Sequence, residues 1–329
     1  VERWPQAQRL QGRARFVDAH TLQVDDPSGN STRVSAARIV IAVGSKPEVP
    51  DAWRRALGER LIVNDDVFDW TDLPRSVAVV GTGVIGLELA QALHRLGVAV
   101  KLYGRSADIG GPLSDPRLKA LAREVIGREV PMALGVDVSV GLDGDKVLVR
   151  ADRRDADGSP DSGADGGTDV AASTSMARFD VLLAATGRRP ALAGLDLSAA
   201  GLPLDERGLP GFDPHTCQIG SSHVFIAGDA DAHRPLLHEA ADEGRIAGDN
   251  AGRWPDVRVR PRRTPLAVVF SDPQLMIAGR GHAELLQSGV AFATGAVSFE
   301  DQGRSRVIGR NQGALHVYGE RGTGRFAFR

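Results

Sequence analysis

Gly81-Thr82-Gly83-Val84-Ile85-Gly86 is the segment whose residue types and spacing point most directly to chemistry. Three glycines spaced GxGxxG suit a tight turn that brings backbone against a pyrophosphate. The first glycine makes the turn, the second admits the phosphates, and the third lets helix and strand pack closely. A close-packed turn without a ligand is the competing reading. About twenty residues on, where an acidic residue would bond a ribose 2′-hydroxyl, the chain reads Gly104-Arg105-Ser106 with no carboxylate. Arg105 could pair with a 2′-phosphate and Ser106 donate to it, which favours NADP(H) over NAD(H). The alternative is a solvated surface arginine. Weaker glycine punctuation follows two other apolar runs, at Val43-Gly44-Ser45 and Thr186-Gly187. Gly228-Asp229 is stronger, because a carboxylate at a strand's carboxyl end lies where open α/β sheets bind ligands. Cys217 is the single cysteine.

The elements that position these residues can be read from periodicity. Val77–Val80 is a short continuous apolar run, as in a strand buried on both faces. Ile85, Leu89, Leu93 and Leu96 then recur at helical spacing up to Gly97, and residues 98–103 form the next strand. Strand, glycine turn, helix and strand make one βαβ unit. Upstream, residues 13–24 predict a hairpin, 33–42 one strand, and 51–73 a mixed connector. Downstream, a helix is expected over 116–126, strands over 132–140 and 145–150, and a buried strand in DVLLAATG. Residues 151–175 are rich in Asp, Gly and Ser and read as a low-complexity insertion, a mobile hairpin tip. VFIAG predicts another strand, 238–250 a helix, and 258–263 a basic connector. From Pro265 the pattern is all-β or α+β.

Composition bounds the class. The chain has 329 residues, a 42% apolar and 25% charged composition, and a net charge of −2. These values suit two or three globular domains and argue against nucleic-acid or anionic-membrane binding. One cysteine excludes an internal disulfide framework, a cysteine-rich metal site and an intramolecular redox-active pair. No metal is expected. The longest apolar region is interrupted by Glu88, Gln91, His94 and Arg95, so it does not read as a membrane span. No signal-peptide pattern is seen, which leads to a cytoplasmic expectation.

Taken together, IVIAVGSKPEVP (39–50), VAVVGTGVIGLELAQAL (77–93), LLAATGRRP (182–190), VFIAGDA (224–230), LLHEAADEGRIAG (236–248) and VVFSDPQLMIAG (268–279) resemble the pyridine nucleotide-disulfide oxidoreductases, most closely dihydrolipoamide dehydrogenase. Mercuric reductase, glutathione reductase and soluble transhydrogenase share most of these runs. The resemblance implies an α/β fold with two Rossmann-like nucleotide-binding domains and an α+β interface domain. The divisions would be a first FAD segment at 1–73, an inserted NAD(P) domain at 74–190, a second FAD segment at 191–261, and an interface domain at 262–329 that forms a homodimer. It implies FAD and NADP or NAD as cofactors, and a small-molecule or lipoyl-domain dithiol as substrate. By position, Val43, Gly44, Ser45, Asp229, Leu236, Leu237 and His238 would serve FAD. Gly81 to Gly86, Glu88, Gly104 to Ser106 and Gly187 would serve NAD(P). Glu88 also matches the family's glutamate that partners an active-site lysine, although an ordinary first-turn helix carboxylate is the alternative.

The departures concern the redox machinery. Cys217 matches no catalytic position. The segment before Ile39 has only Gly12 and Gly29, so the first FAD glycine turn and the lysine partner of Glu88 are missing. No His-Pro motif with a following glutamate occurs after Val259. The start at Val1 and the stop at Arg329 lead to the expectation of an internal piece of a longer enzyme, inactive as a disulfide reductase and poor at retaining flavin. The rival expectation is a catalytically silent nicotinamide-nucleotide-binding module.

Overall fold

The structure is a computed structural model that describes residues 9–154, 174–323 and 325–326. The expected mobile insertion lies mostly outside the described residues. The chain divides into two compact units, residues 1–46 with 188–263 and residues 47–187 with 264–329.

The first unit opens with an antiparallel sheet of β1 (Arg13–Phe16), β2 (Thr21–Asp25) and β3 (Ser31–Ser35). The single strand expected over 33–42 is two strands in different sheets. β3 stays with the hairpin, and β4 (Ile39–Ile41) pairs in parallel with β17 (Val224–Ile226). A mixed sheet continues from β17 through β16 (Gln218–Ile219) to β15 (Phe212–Asp213). Side-chain alternation explains the layering. Val224 and Ile226 pack with Ile39, Ile41, Phe16 and Leu192 on one face. Phe225 and Ala227 pack on the other face with Ile246 and Ala247 of helix α4 (Leu237–Arg253). β5 (Ser45–Pro47) pairs with β14 (Arg188–Pro190).

The second unit contains a five-stranded parallel sheet in the order β6-β13-β7-β8-β9. Its strands are β6 (Leu61–Ile62), β7 (Ser76–Val80), β8 (Ala99–Gly104), β9 (Met132–Leu134) and β13 (Val181–Ala184). Val77 and Val79 face the core shared with Leu87, Ala90 and Leu93 of helix α2 (Val84–Arg95) and Ile126 of α3 (Pro116–Gly127). Ala78 and Val80 face a second core. It contains Leu57 of α1 (Asp51–Leu57), and Val147 and Val149 of an antiparallel sheet. That sheet is β10 (Val136–Asp143), β11 (Lys146–Arg153) and β12 (Thr174–Phe179). Burial on both faces accounts for the unbroken apolar runs.

Two expectations need correction here. The connector 51–73 contains α1 and the edge strand β6, whose two residues are too few to show a period. The strand expected over 132–140 is two, because Gly135 at φ 66° turns the chain between β9 and β10. At the sheet's amino-terminal end Asp180 accepts from the Ser76 backbone N–H (2.8 Å) and Lys146 Nζ (2.5 Å), which ties β13 to β7. The rest of this unit is α+β. It comprises hairpin β18 (Leu266–Val269) and β19 (Leu275–Ala278), α5 (His282–Gln287), α6 (Gly303–Val307), and the ribbon of β20 (Phe292–Ser298) and β21 (Ala314–Glu320).

Candidate functional site

The turn from Gly81 to Gly86 joins β7 to α2 at the carboxyl end of the parallel sheet, between the ends of β13 and β8. Each glycine has its own physical reason. Gly81 has φ 120°, and a Cβ there would lie 2.0 Å from the Ala185 carbonyl oxygen. A Cβ on Gly86 would lie 1.8 Å from the Gly81 carbonyl oxygen. Both positions are closed by protein backbone. Gly83 differs: a Cβ there meets nothing within 4 Å. Gly83 is also the N-cap of α2 and supplies no side chain to the first-turn N–H groups. Free N–H groups at a helix start, with the helix dipole behind them, suit an anion. Thr82 Oγ1 donates to the Asp108 carbonyl oxygen (3.1 Å), holding the following loop beside the turn.

At the end of β8, Gly104 lets the strand press on Thr82, whose Cγ2 would be 2.4 Å from an added Cβ. Arg105 is 76% exposed, and its Nε lies 3.2 Å from Asp137 Oδ1. Ser106 Oγ accepts the Asp108 N–H (3.0 Å) and keeps its own proton to donate. Gly187, at φ 135°, passes its carbonyl to the Glu48 N–H (2.9 Å), while Thr186 Oγ1 donates to the Glu48 carbonyl oxygen (2.5 Å). Glu88 sits on α2, and its Oε1 accepts the Phe270 backbone N–H (2.8 Å). The structure therefore gives Glu88 a positioning contact that its sequence setting did not reveal.

In the first unit, two of the residues expected to serve FAD, Ser45 and Asp229, share one hydrogen-bond chain. Ser45 Oγ donates to Asp229 Oδ2 (2.7 Å). Arg188 Nε donates to Ser45 Oγ (2.8 Å), and Arg188 Nη2 to the Ser45 carbonyl oxygen (3.0 Å). Gly44 carries φ 67°, and half-exposed Val43 precedes it. Leu236 is the N-cap of α4 with no side-chain bond, so the N–H groups of Leu237 and His238 begin a 17-residue helix uncapped. Arg188 does not stand out in the sequence, because only the fold sets it beside Ser45.

Beneath this chain lies a buried charge cluster that sequence reading also missed. Arg262, 10% exposed, bonds Glu239 and Glu243 through Nη2, with 2.8 Å to Glu243 Oε1. Glu243 is fully buried, and its Oε2 accepts the Gly228 N–H (2.9 Å), fixing the turn that carries Asp229. Asp231 Oδ2 is buried without a partner. Burial first, and the Glu243 charge after it, raise the Asp231 carboxyl to about 7, despite the His233 N–H that lowers it. Cys217 is buried, and that burial pushes its thiol up to about 12. A thiol so held is not a thiolate near neutral pH. A cavity of about 650 Å³ lined by Leu118, Leu121, Pro273, Phe299 and Arg310 contains none of the predicted site residues. Its polar groups, among them the Asp272–Arg310 ion pair, sit apart from the glycine turn, which is the better candidate. Among the described residues, no group of three or more His, Cys, Asp or Glu side chains could hold a metal ion, and no helix is long and apolar enough to cross a membrane.

A parallel sheet with a glycine turn opening an uncapped helix defines a dinucleotide-binding α/β protein. The chain belongs to the pyridine nucleotide-disulphide oxidoreductase family, whose model matches residues 6–244. Members of this family use FAD and NAD(P). The chain is 30% identical over 324 residues to mercuric reductase of Streptomyces lividans, covering 97% of this chain and 63% of that protein. It is 27% identical over 322 residues to soluble pyridine nucleotide transhydrogenase of Colwellia psychrerythraea (96% and 63%). Against dihydrolipoamide dehydrogenase of Chaetomium thermophilum it is 28% identical over 321 residues (96% and 59%). In fold it is similar to the HOCl-induced flavoprotein disulfide reductase RclA of Escherichia coli, with a TM-score of 0.76, 21% identity, and coverage of 96% and 67%. LpdA of Mycobacterium tuberculosis gives a TM-score of 0.77 at 23% identity, covering 97% and 66%. The chain spans less than two thirds of the length of these curated relatives.

Proposed function

We propose that this chain carries the nucleotide-handling part of a flavin-dependent, NAD(P)-linked disulfide oxidoreductase of the dihydrolipoamide dehydrogenase type. The observation that carries this reading is the contrast at the turn: Gly81 and Gly86 are closed by backbone, while Gly83 is open at the uncapped start of α2. Bound NAD(P)H and FAD would supply hydride exchange. The chain's own residues bind and orient. The turn and the α2 N–H groups receive a pyrophosphate, Arg105 and Ser106 read the ribose, and Gly187 leaves room beside the nicotinamide end. Ser45 and Arg188 hold Asp229 ready to accept from the flavin's hydroxylated tail. The free N–H groups at the start of α4 favour negative charge on the flavin ring. Glu88 fixes the flank of α2 through Phe270.

The dithiol half of the reaction has no residue here. Cys217 is single, buried and held as a thiol, so disulfide exchange requires sulfurs other than this chain's own. On this reading the chain alone is silent towards lipoamide, and the whole protein would be a cytoplasmic homodimer assembled through 262–329. The curated relatives differ in substrate, so the lipoyl assignment rests on the sequence runs. The test is reconstitution with FAD, followed by titration with NADPH and NADH and reduction of an artificial one-electron acceptor. Expected are saturable dinucleotide binding, dye reduction only with added FAD, and no lipoamide turnover. Absence of dinucleotide binding by the folded chain would overturn the proposal.

A further inference from the structure

Arg105 does not stand alone at the end of β8. Asp137, the second residue of β10, lies with Oδ1 3.2 Å from Arg105 Nε. Arg154 Nη1 donates to both Asp137 oxygens, at 2.7 and 3.0 Å. The carboxylate is thus held between two guanidinium groups and remains 38% exposed. Arg154 is its diagonal partner across the strand pair, whereas the contact with Arg105 lies outside the pairing. The register sets Asp137 directly opposite Asp152, and like charges facing across an antiparallel pair destabilise it. Asp152 turns instead to Arg150 (3.0 Å) and Thr174 (2.6 Å).

We propose that Asp137 is a specificity-determining residue for the dinucleotide, acting at Arg105; this rests on the dinucleotide reading of Gly81 to Gly86. Asp137 sits as an ion pair beside Arg105 Nε, a donor that a 2′-phosphate would use. Its negative charge also opposes a phosphate arriving at the same guanidinium. To a 2′-hydroxyl it offers an acceptor, the part that a carboxylate ending the second strand plays in NAD binding. That carboxylate is missing from Gly104-Arg105-Ser106, and Asp137 brings one to the same place from β10. Arg105 therefore draws the site towards NADP and Asp137 draws it towards NAD, leaving a chain that accepts both.

The experiment is calorimetric titration of the full chain with NADP⁺ and NAD⁺, comparing parent, Asp137→Asn and Arg105→Ala. Asp137→Asn should tighten NADP⁺ about three- to tenfold, the effect of one unit charge across a partly screened surface, and leave NAD⁺ unchanged or weaker. Arg105→Ala should weaken NADP⁺ alone. Parallel thermal melts verify folding, with Asp137→Ser as the second variant. If both dinucleotides bind and their ratio stays within about twofold of the parent in both Asp137 variants, the role of Asp137 is wrong while the dinucleotide site stands. If the folded parent binds neither, both readings fall. If neither Asp137 variant folds, Asp137 serves the sheet and the proposal is overturned.

Discussion

Helices α2 and α3 belong to the same unit and have the same length of 12 residues, yet they begin in opposite ways. Asp115 caps α3, its Oδ1 accepting the N–H groups of Arg117 (2.8 Å) and Leu118 (3.2 Å). Its Oδ2 accepts from Tyr318 Oη (2.6 Å) and lies 2.7 Å from His316 Nδ1. Pro116 fills the first helical position, where no N–H is needed. The start of α3 is saturated by its own protein. The start of α2 has Gly83 and no cap, within a turn whose other two glycines are packed against backbone. A closed start spends its N–H groups on folding, and an open one leaves them for an anion.

The largest effect that sharpens this contrast is expected at Gly86→Ala. The added methyl would overlap the Gly81 carbonyl, which is backbone and cannot rotate away. A loss of about 3 kcal/mol or more in unfolding free energy is expected, read by denaturant melts. A loss under about 1 kcal/mol would show that the turn is not closed as described. Next is Arg262→Met, in the unit whose helix α4 also starts uncapped. Glu243 would be left buried and unpaired, at a cost of about 3–5 kcal/mol, and the Gly228 turn carrying Asp229 would loosen. Flavin affinity should fall with stability. Full flavin affinity in the variant would separate the cluster from the site.

Asp115→Ala comes third, at about 2–4 kcal/mol, combining the lost cap with stranded partners at His316 and Tyr318. Its pH dependence follows from the geometry. Burial alone would raise the Asp115 carboxyl, but the bonds from Tyr318, His316, Leu118 and Arg117 outweigh it and hold it well below the usual carboxylate range. A depressed folded value means that this stabilisation is present above about pH 4 and is lost as pH falls below it. The parent should therefore lose the advantage over Asp115→Ala as acid melts are taken downward from pH 5.

Much of this was legible in the chain. The GxGxxG turn, the strand before it and the helix after it follow from glycine spacing and apolar period, which are local properties. Asp229 and the start of α4 were legible as well, because both punctuate the ends of strong apolar or helical runs. The residues that were missed all depend on distant pairing. Arg188 meets Ser45 across 143 positions and Phe270 meets Glu88 across 182. Among the arginines of 258–263, only the fold separates buried Arg262 from Arg263, which is 77% exposed. Strand β6 escaped because two residues carry no period, and Gly135 did not declare its break because glycine is tolerated inside a strand pattern.

Asp231→Asn probes the first unit more gently. The native carboxyl, raised to about 7 by burial and the Glu243 charge, keeps a proton that the unfolded chain has released. A raised folded value means that the stabilising term is complete below about pH 4 and disappears as pH rises through about 7. Asparagine removes the titration. The slope of stability against pH between 4 and 7 should change by up to one proton, with the variant the more stable at pH 8. Equal slopes in parent and variant would show that Asp231 finds a partner or solvent in solution.

The smallest stability effect and the most pointed functional one should coincide at Gly83→Ala. Gly83 has φ −70° and ψ −172°, an extended conformation open to any residue, and its added methyl meets no protein atom within 4 Å. The unfolding free energy should fall by no more than about 1 kcal/mol, the difference between glycine and alanine at a helix N-cap. On the proposed dinucleotide reading the same methyl would enter the space that a pyrophosphate needs at the head of α2, so NADP⁺ and NAD⁺ should both weaken by about tenfold or more, equivalent to about 1.4 kcal/mol. Gly86→Ala and Gly83→Ala lie three residues apart with identical chemistry. If the first unfolds and the second merely stops binding, the open side of the turn faces ligand. If Gly83→Ala binds both dinucleotides as the parent does, the open side faces only water and the uncapped helix start has another use.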